Sequence, residues 1–255
     1  MEKLSVYILT LNEQARLPRT LEAAKQVADE IVVVDSGSTD KTCEIAESYG
    51  AKVIFHKWKN ISSQKKYAEE QCANDFVLSL DADEVLSDKL IKEILAVKEN
   101  RTADAYKIKI VDMMPGDKTP SLFAKTYNLV RLYDRTKGSM PDDLTHDRVV
   151  LERGVNVAQL KSLVHHYSYL TLTKTWDKYN AYTDELLKTA IATGKKYSLF
   201  RLSIEFPYQF LRYYFFKKMF LRGRFGFINA VTLAYFRFLK IAKWQEYYLM
   251  QKDKK

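Results

Sequence analysis

Cysteine is nearly missing from this chain: Cys43 and Cys72 are the only two in 255 residues. Two thiols at that spacing give neither a disulfide framework nor a zinc pattern, and they fit a reducing compartment. Glycine (8) and proline (5) are almost as scarce, which excludes collagen-like and low-complexity chains. Long apolar runs are missing too. The longest charge-free apolar stretch of the C-terminal part, residues 225–236, has 12 residues, whereas a bilayer crossing needs about 20. At the N-terminus a short apolar run up to Leu11 follows Met1-Glu2-Lys3 without a small-residue cleavage site, so no signal peptide is expected and the protein is expected in the cytoplasm.

Apolar residues make up 47% of the chain and aromatics 13%, enough for a continuous core. The length fits one large α/β domain, or a catalytic domain of about 200 residues with an appendage. The net charge of +9 is unevenly placed. Residues 201–255 hold 12 basic and 3 acidic side chains and 16 of the 33 aromatics, while residues 1–200 are balanced. A neutral body followed by a basic, aromatic segment asks for an anionic partner.

Over the first 110 residues, short apolar runs alternate with helical patterns. Residues 4–9, 31–34, 52–55, 76–80 and 105–111 read as strands, and 17–28, 40–49, 62–73 and 87–99 as helices, with Pro18 in a first turn that tolerates it. Ile31-Val32-Val33-Val34 is apolar on both faces, which a strand tolerates when helices cover both sides of its sheet. The expected architecture is therefore α/β, a doubly wound and mostly parallel sheet. Residues 112–160 read as loops with strand-like pieces such as 127–133. From about Thr173 the pattern is helical to the end, with interruptions near Gly194, Pro207 and Gly223.

Ligands of an open parallel sheet bind beyond the carboxyl ends of its strands. Here those ends read Thr10-Leu11-Asn12-Glu13, Asp35-Ser36-Gly37-Ser38-Thr39-Asp40 and Asp81-Ala82-Asp83-Glu84. Capping accounts well for Asp40 and Ser87 but poorly for Asp35 and Asp81, which precede the cap positions. Asp81 and Asp83 together can hold a divalent cation against the phosphates of a nucleotide. Neither a P-loop nor a dinucleotide glycine fingerprint follows the first strand, which leaves nucleotide binding through carboxylates and metal.

These three segments, in this order and spacing, resemble family 2 glycosyltransferases. The resemblance implies a GT-A fold, a UDP-sugar donor, Mg2+ or Mn2+, and inversion at the anomeric carbon. It assigns Asn12, Glu13 and Asp35, with Thr10 and Gly37 beside them, to the nucleotide, Asp81 to the ribose or donor sugar, and Asp83 to the metal. Gln64 and Lys65 match a position near the diphosphate, with a solvated helix face as the alternative for Lys65.

Further on, Arg131-Leu132-Tyr133, His146-Asp147, His165-His166-Tyr167-Ser168-Tyr169 and Lys178-Tyr179-Asn180-Ala181-Tyr182 resemble bacterial lipopolysaccharide-core glucosyltransferases. That likeness implies glucose from UDP-glucose, a lipid-linked oligosaccharide acceptor and Asp147 as the base that deprotonates its hydroxyl. The subgroup commonly carries Glu at that position, and Asp142 and Asp143 remain rival bases. His166 is a metal ligand or a buried structural histidine. Trp176, Tyr179 and Tyr182 lie on one helical face, a pattern more typical of packing than of sugar stacking.

The division expected is a transferase domain over residues 1–170 and a helical, basic and aromatic region over 171–255. Arg212, Lys217, Lys218, Arg222 and Arg224 interleave with aromatics in a segment suited to the anionic inner face of a membrane. Nucleic acid is the rival partner, but no RNP, KH or helix-turn-helix signature accompanies the charge, and none is expected to bind. Other readings are the same fold acting on a polyprenyl phosphate, capsule sugar or peptide, and a non-catalytic adaptor.

Overall fold

The computed structural model describes residues 1–252 except 116, 118, 122, 123, 143–147 and 170. Two compact units result, Met1–Ser168 and Tyr169–Lys255.

In the first unit, β1 (Leu4–Thr10), α1 (Leu17–Ala24), β2 (Glu30–Asp35), α2 (Thr42–Ser48), β3 (Lys52–Phe55), α3 (Ile61–Glu70) and β4 (Phe76–Asp81) alternate as the apolar pattern predicts. After them come β5 (Glu84–Leu86), α4 (Asp88–Glu99), β6 (Ala105–Asp112), β7 (Thr126–Asp134), the short β8 (Gly138–Ser139) and β9 (Val150–Leu151), and β10 (Val157–His166). The main sheet has the order β3-β2-β1-β4-β7-β6-β10-β5. β3, β2, β1 and β4 run parallel, β7 lies antiparallel between β4 and β6, and β10 is parallel to β6 but antiparallel to β5. The expected α/β sheet is present; in its mixed half β6 is the strand expected at 105–111, while β7 and the start of β10 come from the region that reads as irregular in the sequence.

Both faces are covered, as the all-apolar strands require. Val6, Ile8 and Val33 join Leu17, Leu21, Leu90 and Ile94 in one core layer. Tyr7, Val32 and Val34 point the other way and meet Ala68, Val77 and Tyr133. Asn60 caps α3 by accepting from Ser63 N at 2.9 Å, and Ser87 caps α4 by accepting from Leu90 N at 3.3 Å.

The second unit holds α5 (Leu172–Ala192), α6 (Leu199–Leu211), a π-helical turn (Arg212–Phe216), a 3-10 turn (Met219–Arg222) and α7 (Gly223–Lys252). α5 and α6 both pack on α7. Pro207 sits inside α6 instead of ending it. The break comes five residues later, in the wide turn, after the ladder has lost the Pro207 N–H. Gly226 is required where α7 begins: a Cβ there would stand 1.9 Å from the Met219 carbonyl oxygen.

One sequence expectation needs correction. The helical stretch Met219–Gln251 is, by length and composition, long and apolar enough to cross a membrane. Counting only uninterrupted apolar residues missed it, because a helix accommodates a few charges within an otherwise apolar span.

Candidate functional site

The parallel register brings the polar strand ends to one edge. Thr10 at the end of β1 is paired with Asp35 at the end of β2, and Leu9 with Asp81 at the end of β4. Beyond that edge Asp35 is buried and organises the loop after β2. It accepts from Thr10 Oγ1 (2.8 Å), Gly37 N (2.8 Å), Ser38 N (2.7 Å) and Ser38 Oγ. Burial by itself would raise this carboxyl, but the donors from Ser38, Gly37 and Thr10 hold it below the ordinary value. Gly37 makes the tight approach at φ +107°, a conformation that a side chain would strain.

Asn12 also has a positive φ, 57°. Its Oδ1 accepts from Thr39 N at 2.9 Å and its own N–H donates to Ser38 Oγ at 2.8 Å, tying the loops after β1 and β2 together. Three of the nucleotide candidates, Thr10, Asn12 and Asp35, thus spend these polar atoms on each other's loops; in this structure they shape the edge. Gln64 does the same from α3, donating to Ser36 Oγ at 2.7 Å and to the His56 carbonyl at 3.0 Å.

Glu13 and Asp83 converge on a residue that the sequence reading does not single out. Arg16 donates to Glu13 through Nε at 2.7 Å and through a second nitrogen, and to Asp83 Oδ2 at 2.9 Å. Burial pushes the Glu13 carboxyl up despite this partner. The only cue to Arg16 in the sequence is a basic residue three positions after Glu13.

Asp81 lies between cations: Lys65 Nζ is 3.2 Å from Oδ1 and Arg131 is 3.3 Å from Oδ2. Arg131 also reaches Glu84 at 2.9 Å, and Glu84 accepts the Asp81 N–H at 3.0 Å. Burial would raise Asp81, but the charges of Lys65 and Arg131 win and hold it well below the usual carboxylate range. Glu84 moves the opposite way, raised by burial and by the Asp81 charge despite Arg131. Lys65 is a buried ion-pair partner, not a solvated helix position.

Sheet register places His166. It stands opposite Glu84 across the β5 and β10 pairing and beside Asp112 across β6 and β10, while Tyr167 N donates to the Asp83 carbonyl at 2.8 Å. His166 Nδ1 lies 2.8 Å from Asp112 Oδ1, and Nε2 faces Asp83 Oδ1 at 3.5 Å. Burial would lower the imidazole, but hydrogen bonding to Asp112 and Asp83 raises it to about 10. Asp112 is a second residue missed by the sequence reading, although it ends a strand at the edge where Asp35 and Asp81 end theirs. His165 points to another environment, edge-on to Tyr167, and burial lowers its pKa.

Asp147 and Asp143 lie outside the described residues. Asp142 accepts from Ser63 Oγ at the start of α3 and is 3.7 Å from Lys59 Nζ. Trp176 stacks on Tyr235, and Tyr179 and Tyr182 lie against Phe236, with Trp176 and Tyr182 still about half exposed.

The family model for glycosyl transferase family 2 matches residues 5–163, the span that builds this edge. The chain belongs to that family. An uncharacterised glycosyltransferase of Rickettsia typhi is 37% identical over 99% of this chain and 90% of its own length. The lipopolysaccharide core biosynthesis glycosyltransferase LpsC of Rhizobium meliloti is 32% identical over 94% of this chain and 91% of its own. Among solved structures, Staphylococcus aureus TarS in complex with UDP-GlcNAc is similar at a TM-score of 0.49 and 16% identity, covering 91% of this chain and 90% of that one. As a family 2 glycosyltransferase the chain is a transferase with the GT-A type of mixed sheet, as its motifs imply.

The residues present fit a divalent cation in part. A carboxylate and an imidazole nitrogen face each other, and a second carboxylate, Asp112, holds the other ring nitrogen, the arrangement common behind metal-binding histidines. Among the described residues no group of three or more His, Cys, Asp or Glu forms a complete cage, so the other donors would have to come from the donor's diphosphate and water.

Proposed function

We propose that the chain transfers a hexose, glucose from UDP-glucose, with inversion onto a hydroxyl of a lipid-linked core oligosaccharide. The observation that carries this reading is the pairing of Asp83 with His166, backed by Asp112, at the carboxyl edge of the sheet. Family membership and full-length similarity to LpsC, whose name places it in lipopolysaccharide core biosynthesis, support the acceptor class.

In this reading the loops held by Asn12 and Asp35 form the nucleoside wall. Asp81, fixed between Lys65 and Arg131, orients the ribose or donor sugar. Asp83 and His166 would hold Mg2+ or Mn2+, which supplies Lewis-acid neutralisation of charge on the departing diphosphate. Asp147, or Asp142 or Asp143 in its place, takes the acceptor hydroxyl proton. That oxygen forms the new bond to the anomeric carbon as the bond to the diphosphate breaks, and the leaving electron pair goes to UDP. One displacement inverts the centre without a covalent intermediate.

The test is donor turnover with magnesium or manganese present. Asp147→Asn is expected to lower kcat by about 10²–10⁴-fold, the usual contribution of a general base. Asp83→Asn is expected to remove the metal dependence along with most of the activity. Near-normal transfer by both variants would falsify the assignment. Product partitioning into lipid, capsule polymer or protein separates the core acceptor from a polyprenyl phosphate, capsule sugar or peptide.

A further inference from the structure

The helical unit has a small apolar core around Tyr197, Ile241 and Trp244, with Leu202 of α6 packed against it, yet a second apolar stripe of α6 faces outward. α6 buries Glu205 and Gln209, 4% and 3% exposed, while Phe200 and Tyr208 are 73% and 59% exposed. The buried polar groups are satisfied along the helix: Arg201 donates to Glu205 at 3.0 Å, Gln209 to Glu205 at 3.0 Å and Arg212 to Gln209 at 3.3 Å. Glu205 and Gln209 lie one turn apart on the inward side with the exposed Arg201 and Arg212 flanking them, and Phe200, Ile204, Tyr208 and Leu211, at spacings of four, four and three, form the outward stripe. Where α7 begins, small residues face inward, with Gly226, Ala230 and Ala234 buried, while Phe227 and Ile228 are exposed. Water does not favour such an arrangement; an apolar stripe of this extent marks an interaction surface.

Charge identifies the occupant. No acidic residue occurs in residues 206–245, which carry eight Lys and Arg. Lys217, Lys218 and Arg224 are exposed at the corner joining α6 to α7, next to Phe216 and Leu221. A symmetric second copy would set these cations against themselves. An anionic lipid surface neutralises them while its interface takes up the aromatic and aliphatic stripe. Although α7 is long and apolar enough to cross, crossing would take Arg237 and Lys240 into the bilayer and break the bonds of Lys243 to Asp184 and the Asn180 carbonyl of α5, so the in-plane seat is the less costly one.

We infer that the outward face of α6, together with the corner at residues 215–224, lies in the plane of an anionic leaflet without crossing it. This deepens the proposed reading of a lipid-linked acceptor, and rests on that reading only for its purpose.

The full-length protein is sedimented with phosphatidylcholine vesicles, with or without phosphatidylglycerol, and the pellets are washed in salt or alkaline carbonate. Binding to the phosphatidylglycerol vesicles and release by carbonate are expected. K217E/K218E and F200S/Y208S are each expected to weaken binding about tenfold or more. Both variants should keep the thermal shift of the wild type on adding UDP-glucose with manganese, which shows that they fold and separates this outcome from a failure of the donor site. Protein left in the supernatant with phosphatidylglycerol, wild-type binding by both variants, or retention through carbonate as for a spanning helix overturns the inference.

Discussion

Arg16 donates to Asp83 Oδ2 at 2.9 Å and so places a guanidinium on the same carboxylate that faces His166. The protein's own cation thus occupies one oxygen of this carboxylate. A divalent ion arriving alone has to displace a charge-assisted hydrogen bond, whereas one arriving with a diphosphate brings further ligands. Arg16→Gln is therefore expected to tighten Mn2+ binding to the nucleotide-free protein by about tenfold, the equivalent of one such bond. Loss of the free-ion electron paramagnetic resonance signal on titration measures it; unchanged or weaker binding would show that the pair does not compete.

Lys65 is buried with its ammonium 3.2 Å from Asp81. Removing it leaves a partly buried carboxylate with Arg131 as its main counter-charge. Lys65→Met is expected to cost about 2–3 kcal/mol, reduced from the fully buried case by the partial exposure of Asp81. Pairing it with Asp81→Asn should restore part of that loss, as read from denaturant midpoints in a double-mutant cycle.

Acid sensitivity should report on Asp35. Its folded carboxyl lies below the ordinary value, so it contributes stability above the unfolded-state value of about 3.9, and that stability is lost as pH falls through the folded value. Asp35→Asn should thus be clearly less stable than wild type at neutral pH, with the difference shrinking as the solution is acidified. A gap that is constant down to acid pH would assign the effect to packing.

A buried chain of hydroxyls tests the strand that leads toward residues 142–147. Tyr133 OH donates to Glu69 Oε2 at 2.6 Å and lies 2.8 Å from Tyr7 OH, while Met140 N donates to the same Glu69 oxygen at 3.0 Å. Tyr133→Phe takes a donor from a buried carboxylate and should cost about 1–3 kcal/mol. Tyr7→Phe leaves Glu69 bonded and should cost less. Thermal melts of both variants decide the order.

The parallel half of the sheet is legible because period and polarity agree there: Ile31-Val32-Val33-Val34 forms a strand apolar on both faces, and Asp35 and Asp81 fall at its carboxyl edge. β5 and β10 are not, since three residues are too short for any period and β10 alternates only weakly along Val157–His166. With them went the partners of His166, because Asp112 and Asp83 reach it through register and not through sequence distance. Arg16 was hidden for a different reason: a lone arginine after a strand reads as solvated until its two carboxylates are placed. Polarity misleads in α6, where the helical period is correct but one apolar stripe, Phe200, Ile204, Tyr208 and Leu211, looks outward.

The Glu69 carboxylate takes its donors chiefly from Tyr133, Ser139 and Met140, with Lys66 alone nearby in sequence. A nascent chain that has just completed β4 cannot yet close this layer. At 5–20 residues per second, the 59 residues from the end of β4 at Asp81 to Met140 take roughly 3–12 s to synthesise. Fragments ending short of β7 thus lack Tyr133, Ser139 and Met140 together, so closure of this layer around the Glu69 carboxylate is expected only for chains that extend past Met140.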